Sequence, residues 1–348
     1  AALRLPEVGG FSGLREALTA ASSEGTNYLS LFDPEDFQIS VVLLLCIQAP
    51  LTALGLPHLV TVCGAGKTEW EGRAGYAGGN MLKRICTIGW AILGLCWLAY
   101  LVQTGQSIDP DAAFGDSIRH LLPPVLQGLM LACVLAASMS SGDAFQVTVA
   151  GLFSRNVYRT YFRPDAEDTE IVWVTRLAGI AFVIASLVAA IIIKDIVDAI
   201  IAYFSVLALL GISTAMGILW RRMNQVGVFS ATILSLCVFV ATRQMGMFSR
   251  PMELALPIVS GVFGAVVGSL VTAPPPKETI EKFFTRIYVP VGQEERLDEP
   301  LDEVVPPSER LITWGGLFIV RPGVTSWLGF AVILGLCFAC VGVMLLIL

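Results

Sequence analysis

Apolar residues in this chain come in long blocks rather than in the short alternation of strands. The blocks are Phe37–Cys63, Met81–Gln103, Leu126–Phe153, Val172–Ile193, Val197–Leu219, Val226–Ala241, Leu254–Thr272 and Ser326–Leu348. A helix needs about 20 apolar residues to cross a bilayer. The pattern therefore predicts an all-α polytopic membrane protein with about eight transmembrane helices. Residues 1–36 read as an exposed loop with a short amphipathic piece at Leu14–Ala21. The stretch GAGKTEWEGRAGYAGGN reads as a polar connection, Arg155, Arg159 and Arg163 as a polar turn, and Lys194-Asp195 as a tight turn. The first block is interrupted by Pro50, Gly55 and Pro57. Proline removes a backbone donor and crowds the preceding turn, so this is either a simple kink or a broken helix of the kind that lines a cavity in membrane carriers.

Composition sharpens the picture: 55% of residues are hydrophobic and 14% charged, against about 25% charged in a soluble domain. Charge distribution sets an orientation. With the N-terminal loop outside, the inner connections hold sixteen of the Lys and Arg residues and the outer ones six. That bias predicts an integral protein with both termini of this chain extracytoplasmic; the membrane expected is a bacterial inner (plasma) membrane. No cleavable signal peptide is expected, and the chain starts AALRLPEV without Met, which leaves room for residues upstream.

An enzyme reading finds no support: there are two His, no phosphate-binding glycine loop after a strand, and no serine with a histidine near it. The eight Cys lie in or beside apolar segments, and the Cys337/Cys340 pair reads as small core residues rather than a redox couple. Between Ala273 and Arg321 the residues Ile280, Phe283, Phe284 and Ile287 form a helical patch suited to a membrane surface.

The anomaly is in the third block, where Ser138, Ser140, Ser141 and Asp143 gather near its centre. A carboxylate at that depth costs about 2.5–3.5 kcal/mol on insertion scales and marks a site, a wet cavity or a helix partner. Ala137, Ser140 and Ser141 are spaced i, i+3, i+4 and share a face. If the helix bends there, the Ala137 carbonyl joins two hydroxyls in a set of hard oxygens suited to Na⁺. The alternative is structural: membrane-helix serines bond the i−4 carbonyl or allow close packing. Lys83 and Arg84, at the start of the second block, read as interfacial snorkelling residues.

The string AASMSSGDAFQVTVAGLFSRNVYR resembles the eighth core helix of the sodium:solute symporter family, which includes the sodium–sugar and sodium–proline symporters. The PDAAF box before LLPP, the exit GILWRRMNQVG and the string KFFTRIYVPVG are also similar to family members. The resemblance implies a sodium site at Ala137 (carbonyl), Ser140 and Ser141 (hydroxyls), with Asp143 and Ser138 as support or gating residues. It places the substrate side at Pro50, Leu51, Ala53, Leu54 and Gly55, with Lys83 matching a lysine that contacts substrate in sugar carriers. Ile200 stands where sugar carriers have a glutamine, which argues against a sugar.

The fold implied is the second inverted repeat of a leucine-transporter-type fold plus three accessory helices. Residues 37–219 would be the five-helix repeat, 220–272 two accessory helices, 273–325 a cytoplasmic amphiphilic loop and 326–348 the last helix. The first repeat has no counterpart here, so the expectation is a fragment or split-gene product whose missing repeat lies in the same or another chain. The function implied is secondary active solute:Na⁺ symport by alternating access, with Na⁺ as coupling ion, no other cofactor and no nucleic-acid partner. The partners implied are the bilayer, a small solute and that missing repeat. The other class open to this sequence is a non-transporting membrane scaffold or sensory subunit.

Overall fold

The computed structural model describes residues 2–22, 38–192, 196–289, 293–312 and 316–347; the expected Lys194-Asp195 turn lies outside them. In chain order the principal helices are α1 (Gly10–Ala21), α2 (Ile39–Leu54), α3 (Pro57–Cys63), α4 (Glu69–Thr104), α5 (Ala113–Leu121) and α6 (Pro124–Leu152). They continue as α7 (Asp168–Ile192), α8 (Ile196–Leu219), α9 (Gln225–Met245), α10 (Arg250–Val271), α11 (Lys277–Tyr288), α12 (Leu301–Val304) and α13 (Val324–Ile347). Strands β1 (Arg310–Ile312) and β2 (Ile319–Val320) pair antiparallel. Among the described residues seven helices are long and apolar enough to cross a membrane. This is an all-α polytopic membrane protein.

The eighth expected span is present in two pieces. Helix α2 stops at Leu54, and Gly55-Leu56 separates it from α3. The residue before a proline is pushed out of the α region, and Leu56 stands before Pro57. Pro50, by contrast, sits inside α2 without ending it. Two further expectations are corrected. The glycine-rich connection 64–80 is helical from Glu69 onward, so α4 runs for 36 residues. The turn expected at Arg155 and Arg159 is a π-helix, Phe153–Phe162, that prolongs α6 and stops where Arg163 precedes Pro164.

The chain divides into two compact units, Ala1–Gly10 with Gly94–Ile201, and Phe11–Leu93 with Ala202–Leu348. In the first, Gln127 Nε2 donates to the carbonyls of Arg119 (2.9 Å) and Leu122 (2.7 Å), fixing the α5–α6 corner. Tyr100 Oη and His120 Nε2 lie 3.0 Å apart, holding the end of α4 against α5. Helix α7 returns along the lower part of α6: Thr175 Oγ1 is 2.8 Å from Ser154 Oγ, and Tyr158 Oη donates to Glu170 Oε1 at 2.7 Å.

In the second unit, small residues allow helices to touch backbone to backbone, the favoured mode in lipid. Gly227, Ala231 and Ser235 of α9 and Gly261, Gly264, Ala265 and Gly268 of α10 are buried. A Cβ at Gly264 would come within 2.7 Å of the Ser230 carbonyl oxygen. Asn224 caps α9 by accepting from Gly227 N–H at 2.9 Å, and its amide donates to Thr272 Oγ1 at 2.7 Å. The α2–α8 crossing is closer still. A Cβ at Gly211 would fall on the Leu51 carbonyl oxygen, and one at Gly55 on that of Leu207.

The segment after α10 builds its own core. Phe284, Leu301, Val305 and Phe318 are buried together, with Ile280 and Tyr288 packed beside them. The expected membrane patch is thus divided: Phe284 faces this core, whereas Phe283 and Ile287 are exposed. The module is pinned to the end of α8, since Phe318 N–H donates to Leu219 O (2.8 Å) and Arg221 N–H to Gly316 O (2.9 Å). The guanidiniums of Arg221 and Arg310 stand 4.5 and 5.2 Å from the Phe318 ring centroid. Burial first, and then the neighbouring Arg310, pulls the Arg221 pKa below its ordinary value.

Gly211→Val forces the α2–α8 crossing apart, a strain of about 3 kcal/mol. Thr52→Val removes a hydroxyl that bonds the Gln48 and Phe204 carbonyls, at a cost of about 1 kcal/mol. Thermal melting of the purified variants in detergent is expected to show a much larger drop for the glycine; equal drops would refute the backbone contact. Phe318→Ala opens the small core at a cost of about 3–5 kcal/mol, and limited proteolysis of residues 289–323 is expected to quicken without change elsewhere.

Candidate functional site

The serine cluster lies on α6. Ser138 Oγ bonds the Val134 carbonyl at 3.0 Å, the ordinary structural use of a membrane serine. Ser140 and Ser141 differ: among the described residues neither hydroxyl has a hydrogen-bond partner. Both are exposed, as are Ala137 and Asp143. Gln146 meets Gly179, Ser154 meets Thr175, and Ala150 is buried between them in sequence, so this stripe faces α7. At about 100° per residue, Ala137 and Ser141 point away from that stripe, with Ser140 beside them. Helix α6 is continuous from Pro124 to Leu152, with no proline beyond Pro124 to break it. What α6 presents outward is a pair of free hydroxyls.

The second locus is in the other unit, at the α2–α3 break. A cavity of about 510 Å³ opens there, bordered by Gln48, Thr52 and Ala53 of α2 and by Leu56 in the break. Tyr76, Asn80, Lys83 and Arg84 of α4 close the other side. The cause is visible in the spacing. Gln48, Thr52 and Leu56 fall at i, i+4, i+8, and Tyr76, Asn80 and Arg84 repeat that interval, so each set forms one stripe. Of the residues anticipated on the substrate side, the structure brings Ala53 and Lys83 to this cavity. Pro50, Leu51 and Leu54 do not border it, and Leu51 and Gly55 serve the crossing with α8.

Gln48 and Thr52 are 6% and 7% exposed. Gln48 Nε2 reaches Ser205 Oγ at 3.5 Å, while its Oε1 has no partner. A buried polar atom left unpaired costs about 1–3 kcal/mol. Sequence reading missed Gln48, Thr52, Tyr76, Asn80 and Arg84. For the first pair a signal existed, two polar residues one turn apart in an apolar helix. For Tyr76 and Asn80 it was hidden by Gly75, Gly78 and Gly79, which read as a loop.

A family model described as the sodium:solute symporter family matches residues 2–235. The chain belongs to the sodium:solute symporter family. Among its relatives, the osmoregulated proline transporter OpuE of Bacillus subtilis is 24% identical over 236 residues, 66% of this chain and 48% of that protein. The sodium/pantothenate symporter of Haemophilus influenzae is 23% identical over 247 residues, 67% of this chain and 48% of that protein. The human high affinity choline transporter 1 is 38% identical over a shorter stretch of 88 residues, 23% of this chain and 15% of that protein. The chain spans about half the length of the two bacterial relatives. This symporter family is one of transporters, not enzymes.

The cavity makes a contrast with the helix crossing beside it. Ala53→Trp has open space to fill, so the protein is expected to keep its melting temperature within about 1.5 °C, close to the shift of a 1 kcal/mol change in a chain of this size. The same substitution is expected to slow several-fold the labelling of a Lys83→Cys variant by a water-soluble maleimide. Unchanged labelling would show that Ala53 and Lys83 do not share the space.

Proposed function

We propose that this chain is part of a sodium-coupled solute symporter working by alternating access. Residues 37–219 serve as the second five-helix repeat, 220–272 and 326–348 as accessory helices, and 273–325 as a cytoplasmic segment. The first repeat is supplied by a further part of the same protein or by a partner chain. Both ends of the chain described here face the outside of a bacterial inner membrane, as the placement of Lys and Arg favours.

Na⁺ is held by Ser140 and Ser141 Oγ and the Ala137 carbonyl, with further oxygens from the first repeat. The observation that carries this reading is the pair of unpartnered hydroxyls on the face of α6 turned away from α7. A scaffold helix has no use for two adjacent free hydroxyls in hydrocarbon, whereas a hard cation does. Ser138 already bonds its own helix and plays a supporting part. Asp143 lies one turn below Ser140 and strengthens the local negative field. Solute is taken up at the α2–α3 break, where Ala53 and Lys83 border the cavity. Coupling is a linkage: Na⁺ bound on α6 favours the outward-open state and so raises solute affinity, and the reverse holds equally.

Saturating Na⁺ is expected to raise the melting temperature of the purified full-length protein above its value in equimolar K⁺. Binding at 100 times the dissociation constant adds about 2.7 kcal/mol. Ser140→Ala and Ser141→Ala are each expected to weaken the apparent Na⁺ affinity at least about tenfold, the value of one or two lost ligand contacts. A Na⁺ effect that survives the double variant would move the site elsewhere. Its absence in the unaltered protein would favour a non-transporting scaffold, the reading that the apolar Ile200 also suits.

A further inference from the structure

Helix α11 commits only one side of itself to the small core after α10. Ile280, Phe284 and Tyr288 pack there, and Thr285 is buried beside them. At about 100° per residue, Thr279, Lys282, Phe283, Arg286 and Ile287 fall on a separate stripe, and all five are exposed. That stripe joins two large apolar side chains to two cations. It holds no carboxylate: Glu278 stands at its edge, where it pairs with Lys282 at 2.7 Å, and Glu281 lies on the far side of the helix. Among the described residues Arg286 has no carboxylate within ion-pair distance. Its i−4 neighbour is Lys282, a like-charge pair that weakens a helix in water and that an anionic surface relieves.

Exposed apolar residues taken singly need no explanation. The tethers of this segment supply the second observation. Thr272–Pro276 joins α10 to α11 and contains three successive prolines, a link that reaches about 16 Å in the extended proline conformation. Arg321–Gly323 joins β2 to α13, about 10 Å at full stretch. Between them, Phe318 N–H is bonded directly to the Leu219 carbonyl at the end of α8. Three spanning helices therefore hold the module at one end of the bundle, within reach of the headgroup layer of a bilayer.

We infer that the Lys282–Ile287 stripe of α11 is a contact for anionic phospholipid. Phe283 and Ile287 enter the boundary between headgroups and acyl chains, as the apolar side of an interfacial helix does. Lys282 and Arg286 meet the lipid phosphates, with the Arg286 guanidinium free to bond two phosphate oxygens at once. A soluble protein partner suits the stripe less well, because the tethers keep it at the membrane surface. The bond from Phe318 gives the contact a reach into the spanning helices, since α8 is the helix that clamps the α2–α3 break.

The test places the purified full-length protein in nanodiscs of phosphatidylcholine, alone or mixed with phosphatidylglycerol. Two variants carry a photo-crosslinker, Phe283→benzoylphenylalanine on the stripe and Glu281→benzoylphenylalanine on the far side, and the adducts are weighed by mass spectrometry. Lipid adducts are expected at position 283 and not at 281, with phosphatidylglycerol several-fold above its share of the bilayer. Adding Arg286→Gln is expected to lower that enrichment about fivefold, the weight of one basic side chain near an anionic surface. High salt is expected to lower it too, because screening shortens the reach of the charges. Hydrogen exchange of residues 277–288 in the unaltered protein reads the same contact without any substitution, and is expected to be slower in the mixed bilayer than in phosphatidylcholine alone. Protein adducts in place of lipid at 283 would overturn the assignment, as would equal lipid adducts at 283 and 281. Adducts in bulk proportion, or exchange that ignores phosphatidylglycerol, would overturn it equally. None of these readouts involves Na⁺ or solute, so they decide the lipid contact whether or not the transport reading holds.

Discussion

In hydrocarbon a peptide group has no water to bond, so a helix can stop at membrane depth only where protein covers or wets the freed groups. The interruption at Gly55-Leu56 is the place where this chain meets that constraint. It is held in place by an unusually close crossing, in which Gly55 and Gly211 let α2 and α8 meet backbone to backbone. Without side chains at these two positions the break is clamped rather than loose. Thr52 adds a hydroxyl that reaches the Phe204 carbonyl at 3.2 Å across the same contact. The cavity beside the break follows from the clamp: α2 leans on α8, and the polar stripe of α4 is left to face open space.

Polar groups in the spanning helices fall into two kinds. Most are answered within a turn or by the neighbouring helix: Ser138 by Val134, Thr175 by Ile171 and Ser154 by Gly151. Such groups hold helices together and need no function. Ser140, Ser141 and the Gln48 amide oxygen are of the other kind, having no protein partner among the described residues. That difference, rather than polarity itself, separates candidate sites from packing.

The segment after α10 shows how an amphipathic helix can satisfy part of its apolar face without a membrane. Phe284 turns inward against Phe318, with ring centroids 5.6 Å apart. Arg310 closes the edge by donating to the Val305 carbonyl at 3.0 Å and pairing with Asp302. That hydrogen bond and charge hold the Asp302 carboxyl below its ordinary pKa, so its contribution is present at neutral pH and fades as pH falls through the lowered value. Since the side chain is largely exposed, the effect on stability is small. The two backbone bonds to Leu219 and Arg221 tie this module to the end of α8.

The sequence by itself determined the class of this protein and its family. Blocks of apolar residues long enough to span a bilayer dictate helices whatever their neighbours, and the serine-bearing string carried the resemblance that the family match over residues 2–235 establishes. It also marked the first span as interrupted, because Pro57 constrains the residue before it through local sterics alone. It misplaced what depends on partners. The glycine-rich run 64–80 reads as a loop by propensity, yet from Glu69 it is helix. Helix propensity is a weak preference that packing overrides. The cavity joining Ala53 and Lys83 to Gln48, Asn80 and Arg84 was likewise illegible, since its walls lie as far apart in the chain as Leu45 and Phe204. Only the tertiary structure decided that pairing, because only the crossing of α2 with α8 sets which face of α2 is left open.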